Sequence, residues 1–193
     1  MPRSHRIRLL AAATLALAAC SGGSSTDPST KSDPAIAPAS DPLSSAMSAA
    51  PNSVSKNAAV VTMSAEGAME PLRAGTNGFT CMPDNPATPG PDPMCMDANA
   101  MDWAMAWIGH KPPPTDKPGV MYMLSGGTDA SNTDPYASAP TGARDWIKTG
   151  PHLMLVGSSA ALKGYPAGAA PDTSAPYVMW SGTPYAHLMI PIS

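Results

Sequence analysis

Two short segments of the chain each place a histidine and a methionine two residues apart. His152 and Met154 lie in the sequence Pro-His-Leu-Met-Leu, and His187 and Met189 lie in the similar sequence Ala-His-Leu-Met-Ile. Because side chains alternate across a β-strand, each pair is expected to share one face of its strand. Imidazole and thioether groups are a ligand set that selects copper, especially Cu(I). If the two strands are neighbours in register, the four side chains would converge on one copper site.

The same residues also fit a second role, the packing of a hydrophobic core. The chain has 14 methionines and one phenylalanine, and methionine fills irregular gaps in cores. Met94 and Met96 repeat the spacing of two residues, as do Met121 and Met123, and this period is typical of a buried strand. Both motif histidines begin a strand beside a turn, where a ring nitrogen commonly bonds a backbone carbonyl group. Copper binding and core packing therefore stand as alternatives.

The most polar loop of the chain covers residues 126–136. Asp129, Asn132 and Asp134 offer hard oxygen ligands of the kind that calcium prefers. Their spacing lacks the regular alternation and the closing glutamate of an EF-hand, and Asx-turns explain the same residues. The loop is also a candidate for contacting another ligand, because polar loops on rigid scaffolds often carry function.

Catalytic signatures are missing from the sequence, which contains no G-x-S-x-G, H-E-x-x-H, phosphate-binding loop or dinucleotide-binding motif. Either motif histidine could pair with Asp129 or Asp145 as acid and base, so an envelope hydrolase without a recognisable motif stays an alternative. Three of the 11 basic residues precede Cys20, which leaves eight against 14 acidic residues. This acidic body lacks the basic surface that a nucleic-acid partner requires.

The first twenty residues have the organisation of an export signal. Three arginines lie within residues 1–8, an apolar stretch covers residues 9–19, and Leu-Ala-Ala directly precedes Cys20. This ending resembles the lipobox of bacterial lipoproteins, in which the cysteine is acylated and becomes the new N-terminus. The resemblance implies a signal peptide over residues 1–19, a lipid on Cys20 and attachment to the membrane of the bacterial envelope. Ser21, which is not aspartate, favours the outer membrane facing the periplasm.

The segment after the signal is rich in serine, alanine and proline. Residues 20–56 are predicted to form the lipidated cysteine and a disordered linker, because their apolar residues are mostly isolated alanines that cannot offset the entropy of the chain. One globular domain is predicted over residues 57–193.

With Cys20 assigned to lipid by this resemblance, Cys81 and Cys95 remain as a pair in an oxidising compartment. The segment between them contains five prolines and one glycine, so neither a helix nor a sheet is expected to run through it. The pair is predicted to form a structural disulfide. A thiolate metal site or a redox pair is the alternative, although the spacing is not C-x-x-C.

The remaining pattern predicts more strands than helices. Asp97 is predicted to cap a helix over residues 98–108 that ends at Gly109. Further helical segments are predicted at residues 142–148 and 159–163. Strands are predicted at residues 58–63, 69–73, 79–82, 120–124, 152–156, 177–180 and 187–192. The fold class is therefore α+β, with a small, mostly antiparallel sheet, two or three short helices on one side, one disulfide and a disordered N-terminal tether.

The expected function is that of a lipid-anchored envelope protein with a non-catalytic binding domain. Its partner would be a small ligand or another envelope protein. A periplasmic copper-binding protein that uses the His-x-Met strands, and the hydrolase named above, are the alternatives.

Overall fold

The computed structural model describes residues 41–65, 67–140 and 145–192. These residues all lie in one unit of the chain, residues 36–193. Its helices are α1 (Pro42–Ser48), α2 (Asn52–Ser55) and α3 (Ala98–Ile108), with a 3₁₀ turn at Ser159–Leu162. Its strands are β1 (Ala59–Met63), β2 (Met69–Arg73), β3 (Phe79–Met82), β4 (Met94–Asp97), β5 (Asp116–Met123), β6 (Ala130–Ser131), β7 (Trp146–Ile147), β8 (His152–Ser158), β9 (Tyr177–Met179) and β10 (His187–Pro191).

Eight of these strands form one sheet in the order β2-β1-β3-β4-β5-β8-β10-β9. All neighbours in it pair antiparallel except β1 and β3, which are parallel. The two short strands β6 and β7 pair with each other in a separate ladder. The predicted α+β class with a mostly antiparallel sheet is confirmed.

Helix α3 has the predicted bounds, and its cap also fastens it to the sheet. The Asp97 carboxylate accepts a hydrogen bond from the Ala100 backbone N–H at 2.8 Å and another from Val120 in β5 at 3.0 Å. At the other end the Gly109 N–H donates to the Met105 carbonyl at 3.0 Å. One aspartate therefore satisfies a free helix N–H and fixes α3 against β5.

Helices cover both faces of the sheet, so the prediction that they lie on one side is wrong. Trp103 of α3 belongs to a core cluster that includes Met96 and Met121. Ala46 of α1 belongs to a second cluster, which includes Cys95. Because Cys95 and Met96 are consecutive strand residues, the two clusters lie on opposite faces.

The predicted disulfide between Cys81 and Cys95 is confirmed. The two cysteines are opposite each other on the antiparallel strands β3 and β4, and both are fully buried. The prediction of an irregular segment between them fits up to residue 93. It missed β4, because a four-residue strand directly after a proline-rich loop leaves almost no periodic signal.

The predicted linker differs from the structure in its last part. Asp41 caps α1 by accepting hydrogen bonds from the Ser44 N–H and hydroxyl, and Ala46 and Ala49 are fully buried. Residues 41–56 are therefore folded onto the domain, because single alanines suffice where a helix lies close to a sheet. Residues 1–40, with the predicted signal peptide, Cys20 and the rest of the linker, lie outside the described residues.

The helix predicted at residues 142–148 is wrong where the structure describes it. Trp146 and Ile147 form β7 and pair with Ser131 and Ala130, so cross-strand pairing overrides local helix propensity. Residues 141–144 lie outside the described residues. Within the described ranges, no helix combines the length and apolar character needed to cross a membrane.

Candidate metal centre

Methionines of the described segments line one face of the sheet, and we call this set the methionine layer. Cross-strand pairing joins Met82 to Met94, Met96 to Met121, Met121 to Met154 and Met154 to Met189. Residues two apart on a strand share a face, which adds further members. The layer comprises Met82, Met94, Met96, Met121, Met123, Met154, Met179 and Met189. It places eight soft thioether groups on one surface.

A continuous row runs through the middle of this layer. Met96, Met121, Met154 and Met189 are opposite one another on the four neighbouring strands β4, β5, β8 and β10. Neighbouring strands are about 5 Å apart, so adjacent side chains in the row are close enough to interact. Three of the four are almost fully buried, and Met154 is partly exposed.

The two His-x-Met motifs meet in this row, because β8 and β10 are antiparallel neighbours. Met154 is opposite Met189, and His152 is opposite Pro191. His187 and His152 therefore lie on the same face as both methionines but four strand positions apart, which corresponds to about 13 Å along the strands. Each histidine is the diagonal neighbour of one methionine, a separation that long side chains can bridge. The register thus forms two His–Met pairs at opposite ends of the methionine pair.

His187 is buried with one ring nitrogen left open. The residue is 1% exposed, and Nδ1 of its ring lies 2.9 Å from the Tyr185 carbonyl oxygen. A carbonyl group can only accept, so Nδ1 carries the proton and Nε2 keeps a lone pair. Nε2 is buried and has no hydrogen-bond partner among the described residues. The pKa of His187 is lowered to about 4, chiefly by burial; the hydrogen bond to the Tyr185 carbonyl group raises it and the nearby His152 lowers it, both by less than burial does. The ring is therefore neutral at pH 7.

Two indole rings flank the imidazole of His187. The ring centre of Trp180 is 4.8 Å away and that of Trp103 is 5.3 Å away, both nearly perpendicular to the imidazole. Trp180 has φ 57°, a left-handed conformation that is costly for a bulky residue. Its indole N–H donates to the Ser131 carbonyl at 2.9 Å, and its backbone N–H donates to the Asn132 carbonyl at 2.8 Å. The fold thus maintains a strained tryptophan against the imidazole ring of His187.

His152 lies at the other end, beside a cavity. Its Nδ1 is 2.7 Å from the Gly150 carbonyl oxygen, and burial lowers its pKa. A side chain on Gly127 would come within 3.2 Å of Cε1 of this ring and 2.8 Å of the Thr149 hydroxyl, so glycine leaves the space that the ring occupies. The cavity has a volume of about 200 Å³, and His152 and Met189 both line it.

The three predicted calcium ligands of the polar loop differ in burial and in hydrogen bonding. The Asn132 side chain is 1% exposed and donates to the Gly168 carbonyl at 2.8 Å, whereas Asp134 is exposed and accepts from the Tyr136 N–H in an Asx-turn. Asp129 is partly exposed. The Asn132 Oδ1 is buried and has no hydrogen-bond partner among the described residues. In the described ranges no three or more His, Cys, Asp or Glu side chains are grouped to hold a metal.

Asp145, one of the two acidic partners predicted for an acid–base pair, is engaged elsewhere. Asp145 accepts hydrogen bonds from the hydroxyl groups of Thr133 and Ser131, which lower its pKa. Asp134 and Asp145 line a second cavity of about 290 Å³. In the described part of the chain, no carboxylate contributes to the pKa shift of either motif histidine.

Comparisons of this chain with protein families, with curated proteins and with solved structures gave no match. What the site can do therefore follows from its own geometry. That geometry adds one neighbour of His187 that the sequence pattern did not single out, Met179. Met179 is opposite it on β9, and Trp180 follows directly. The sequence signal for Met179 is its position two residues after Tyr177, because the same spacing separates the paired residues on the other methionine-containing strands.

Proposed function

We propose that this chain is an exported, lipid-anchored envelope protein whose domain binds Cu(I) in the methionine layer and catalyses no reaction. The observation that carries the proposal is the open Nε2 of His187. A buried acceptor without a partner costs about 1–3 kcal/mol, so most proteins avoid one. A soft cation would satisfy this lone pair, and the side chains around it are thioethers and indoles.

The ligands of the proposed site come from three neighbouring strands. His187 Nε2 supplies the nitrogen, and the thioethers of Met154, Met189 and Met179 are its nearest methionines in the register. Thioether and imidazole ligands together favour Cu(I) over harder ions. The indole rings of Trp103 and Trp180 also pack against this imidazole, and aromatic rings can attract a single positive charge.

The low charge of the site supports the monovalent ion. A buried ion must be compensated by its surroundings, and the cost of burial rises steeply with charge. Neither motif histidine has a carboxylate beside it in the described residues, and both cysteines of the domain are joined in a disulfide. Neutral ligands of this kind suit Cu(I) better than Zn²⁺ or Cu²⁺.

Export and lipid attachment rest on the first twenty residues, with Leu-Ala-Ala before Cys20 as the feature that carries them. The disulfide supports an oxidising compartment, because buried structural disulfides are rare in the cytosol. In this proposal the lipid on Cys20 tethers the copper-binding domain to the outer membrane on its periplasmic side. Radiolabelled palmitate incorporation that disappears in Cys20→Ala tests the tether.

Copper binding is tested by titrating the protein, purified from the periplasm without its lipid, against a Cu(I)-specific chelator under anaerobic conditions with ascorbate. The wild type should bind Cu(I), and His187→Leu should bind it at least about a hundredfold more weakly, since it loses the only nitrogen ligand. His110→Ala, which removes an exposed histidine outside the layer, is the matched control and should bind as the wild type does. Equal affinity in the wild type and His187→Leu would refute the site, and no binding by folded wild type would refute the function.

A further inference from the structure

The cavity beside β8 and β10 connects solvent with the methionine layer. Its volume of about 200 Å³ has room for several water molecules, each of which occupies about 30 Å³ in the liquid. Residues from the strand ends and two loops line it, among them Lys148, His152, Thr173, Tyr177 and Met189. Burial raises the pKa of Tyr177 to about 12, so its phenol is neutral at pH 7. The soft donor atoms in the cavity wall are those of His152 and Met189.

Met189 belongs to both the cavity and the buried end of the layer. It lines the cavity although it is only 2% exposed, and it lies on the same strand face as His187, two residues away. One residue therefore both lines the cavity and shares a strand face with the histidine that has the open nitrogen. His187 itself has almost no direct contact with solvent, since it is 1% exposed and the rings of Trp103 and Trp180 pack against it.

His152 has a second soft neighbour in Met123. The two residues are opposite each other on β8 and β5, and both are buried. A Cβ atom placed on Gly127 would lie 3.2 Å from Cε1 of His152 and 3.5 Å from the terminal methyl group of Met123. The imidazole and the end of the methionine side chain therefore both lie close to Gly127, and His152 lines the cavity that Met189 also lines.

We propose that His152, Met123 and Met189 form an entrance site, which binds incoming Cu(I) first and passes it to His187. This inference rests on the proposed copper function and adds its route. In the transfer the ion keeps the Met189 thioether, exchanges the His152 nitrogen for the His187 nitrogen, and stays Cu(I) throughout. His152 then sets the rate of loading, whereas His187 sets the affinity.

The experiment mixes the metal-free protein with a Cu(I)–chelator complex and follows loading by the quenching of tryptophan fluorescence. In His152→Ala the loading rate should fall by about tenfold or more, because losing one ligand of the entrance site raises the activation free energy of loading. The affinity should change by less than about threefold, because the final ligands are intact. Release to excess chelator must then slow by nearly the same factor, since the equilibrium constant is the ratio of the two rates.

Several controls separate this route from a general effect on the fold. His110→Ala should load at the wild-type rate. His152→Gln keeps a long side chain in the strand but lacks the imidazole, so it should load as slowly as His152→Ala. Unchanged loading rates in both His152 variants would overturn the entrance site. An affinity loss as large as that of His187→Leu would overturn it differently, by making His152 a ligand of the final site. A wild type that binds no Cu(I) removes the proposed function itself, and the route with it.

Discussion

Met154 and Met189 lie opposite each other on neighbouring antiparallel strands, with a buried histidine at one end of the pair and a cavity-lining histidine at the other. Because of this register, the side chains of the two similar sequence motifs lie on one face of the sheet. The two methionines are shared, because each is the diagonal neighbour of one histidine. A metal ion at this surface would meet the same pair of thioethers from either end.

The methionine pair can be tested without disturbing the fold. The double variant Met154→Leu/Met189→Leu conserves volume, so its free energy of unfolding should change by less than about 1.5 kcal/mol per site. Its Cu(I) affinity should fall by at least about tenfold, because leucine has no donor atom. Urea unfolding and chelator competition measure the two quantities. Met101→Leu/Met105→Leu on α3 is the matched control, and a loss of affinity in this control as large as in the test variant would contradict the assignment.

The buried neutral His187 predicts a pH dependence for the metal-free domain. Its pKa is about 4 in the fold against an ordinary value of 6.5, so the unfolded chain binds the proton more tightly. The contribution to stability is complete above about pH 6.5, falls as the pH falls, and is lost below about pH 4, to a total on the order of 3 kcal/mol. The lowered pKa of His152 acts in the same direction.

Urea unfolding of the metal-free protein between pH 7 and pH 4 measures this dependence. His187→Leu should show a shallower loss of stability over the same range, whereas His110→Ala should follow the wild type. Parallel profiles of stability against pH for the wild type and His187→Leu would contradict the prediction that burial of His187 makes the domain less stable at low pH.

The disulfide lies on the face of the sheet opposite the methionine layer, and it should stabilise the domain. Cys81 and Cys95 are 14 residues apart in sequence, and closing a loop of that size contributes about 3 kcal/mol, less what the prolines already restrict. Cys81→Ala/Cys95→Ala should therefore unfold at lower urea concentration but still bind Cu(I). Alkylation with intact mass measurement checks the bridge itself, and two thiols that react before reduction would contradict it.

Asp97 is partly buried, and its substitution is expected to destabilise the domain because its carboxylate bonds both α3 and β5. Asp97→Ala should lower the free energy of unfolding by about 1–3 kcal/mol through loss of the cap and of a second charged hydrogen bond. Asp102→Ala, at an exposed position of the same helix, should have little effect. Equal stability of the two variants in urea would show that the hydrogen bonds of Asp97 do not contribute to the free energy of unfolding.

Much of the element order could be predicted from sequence because each element has a local cause. Asp97 and Gly109 delimit α3 by capping chemistry, and the period of two residues marks β8 and β10. The elements that were missed lack such a cause. Strand β7 is two residues long and exists through its pairing with β6, and α1 and α2 contribute only small buried side chains within a polar segment.

The candidate site was predictable only in part for a similar reason. The motifs at His152 and His187 identify the right strands, and alternation places them on one face. The separation of the histidines depends on the antiparallel register of β8 and β10, which no local pattern encodes. The position of Trp180 against His187 depends on long-range hydrogen bonds to Ser131 and Asn132, and these arise only after the chain has folded.

The most direct measurement of the central claim is anomalous X-ray diffraction at the copper edge from crystals of the Cu(I)-loaded protein. The proposed function predicts one peak bonded to His187 Nε2, with sulfur atoms of the methionine layer completing its coordination. Copper bound elsewhere, with Nε2 of His187 still unligated at full occupancy of the metal, would contradict it.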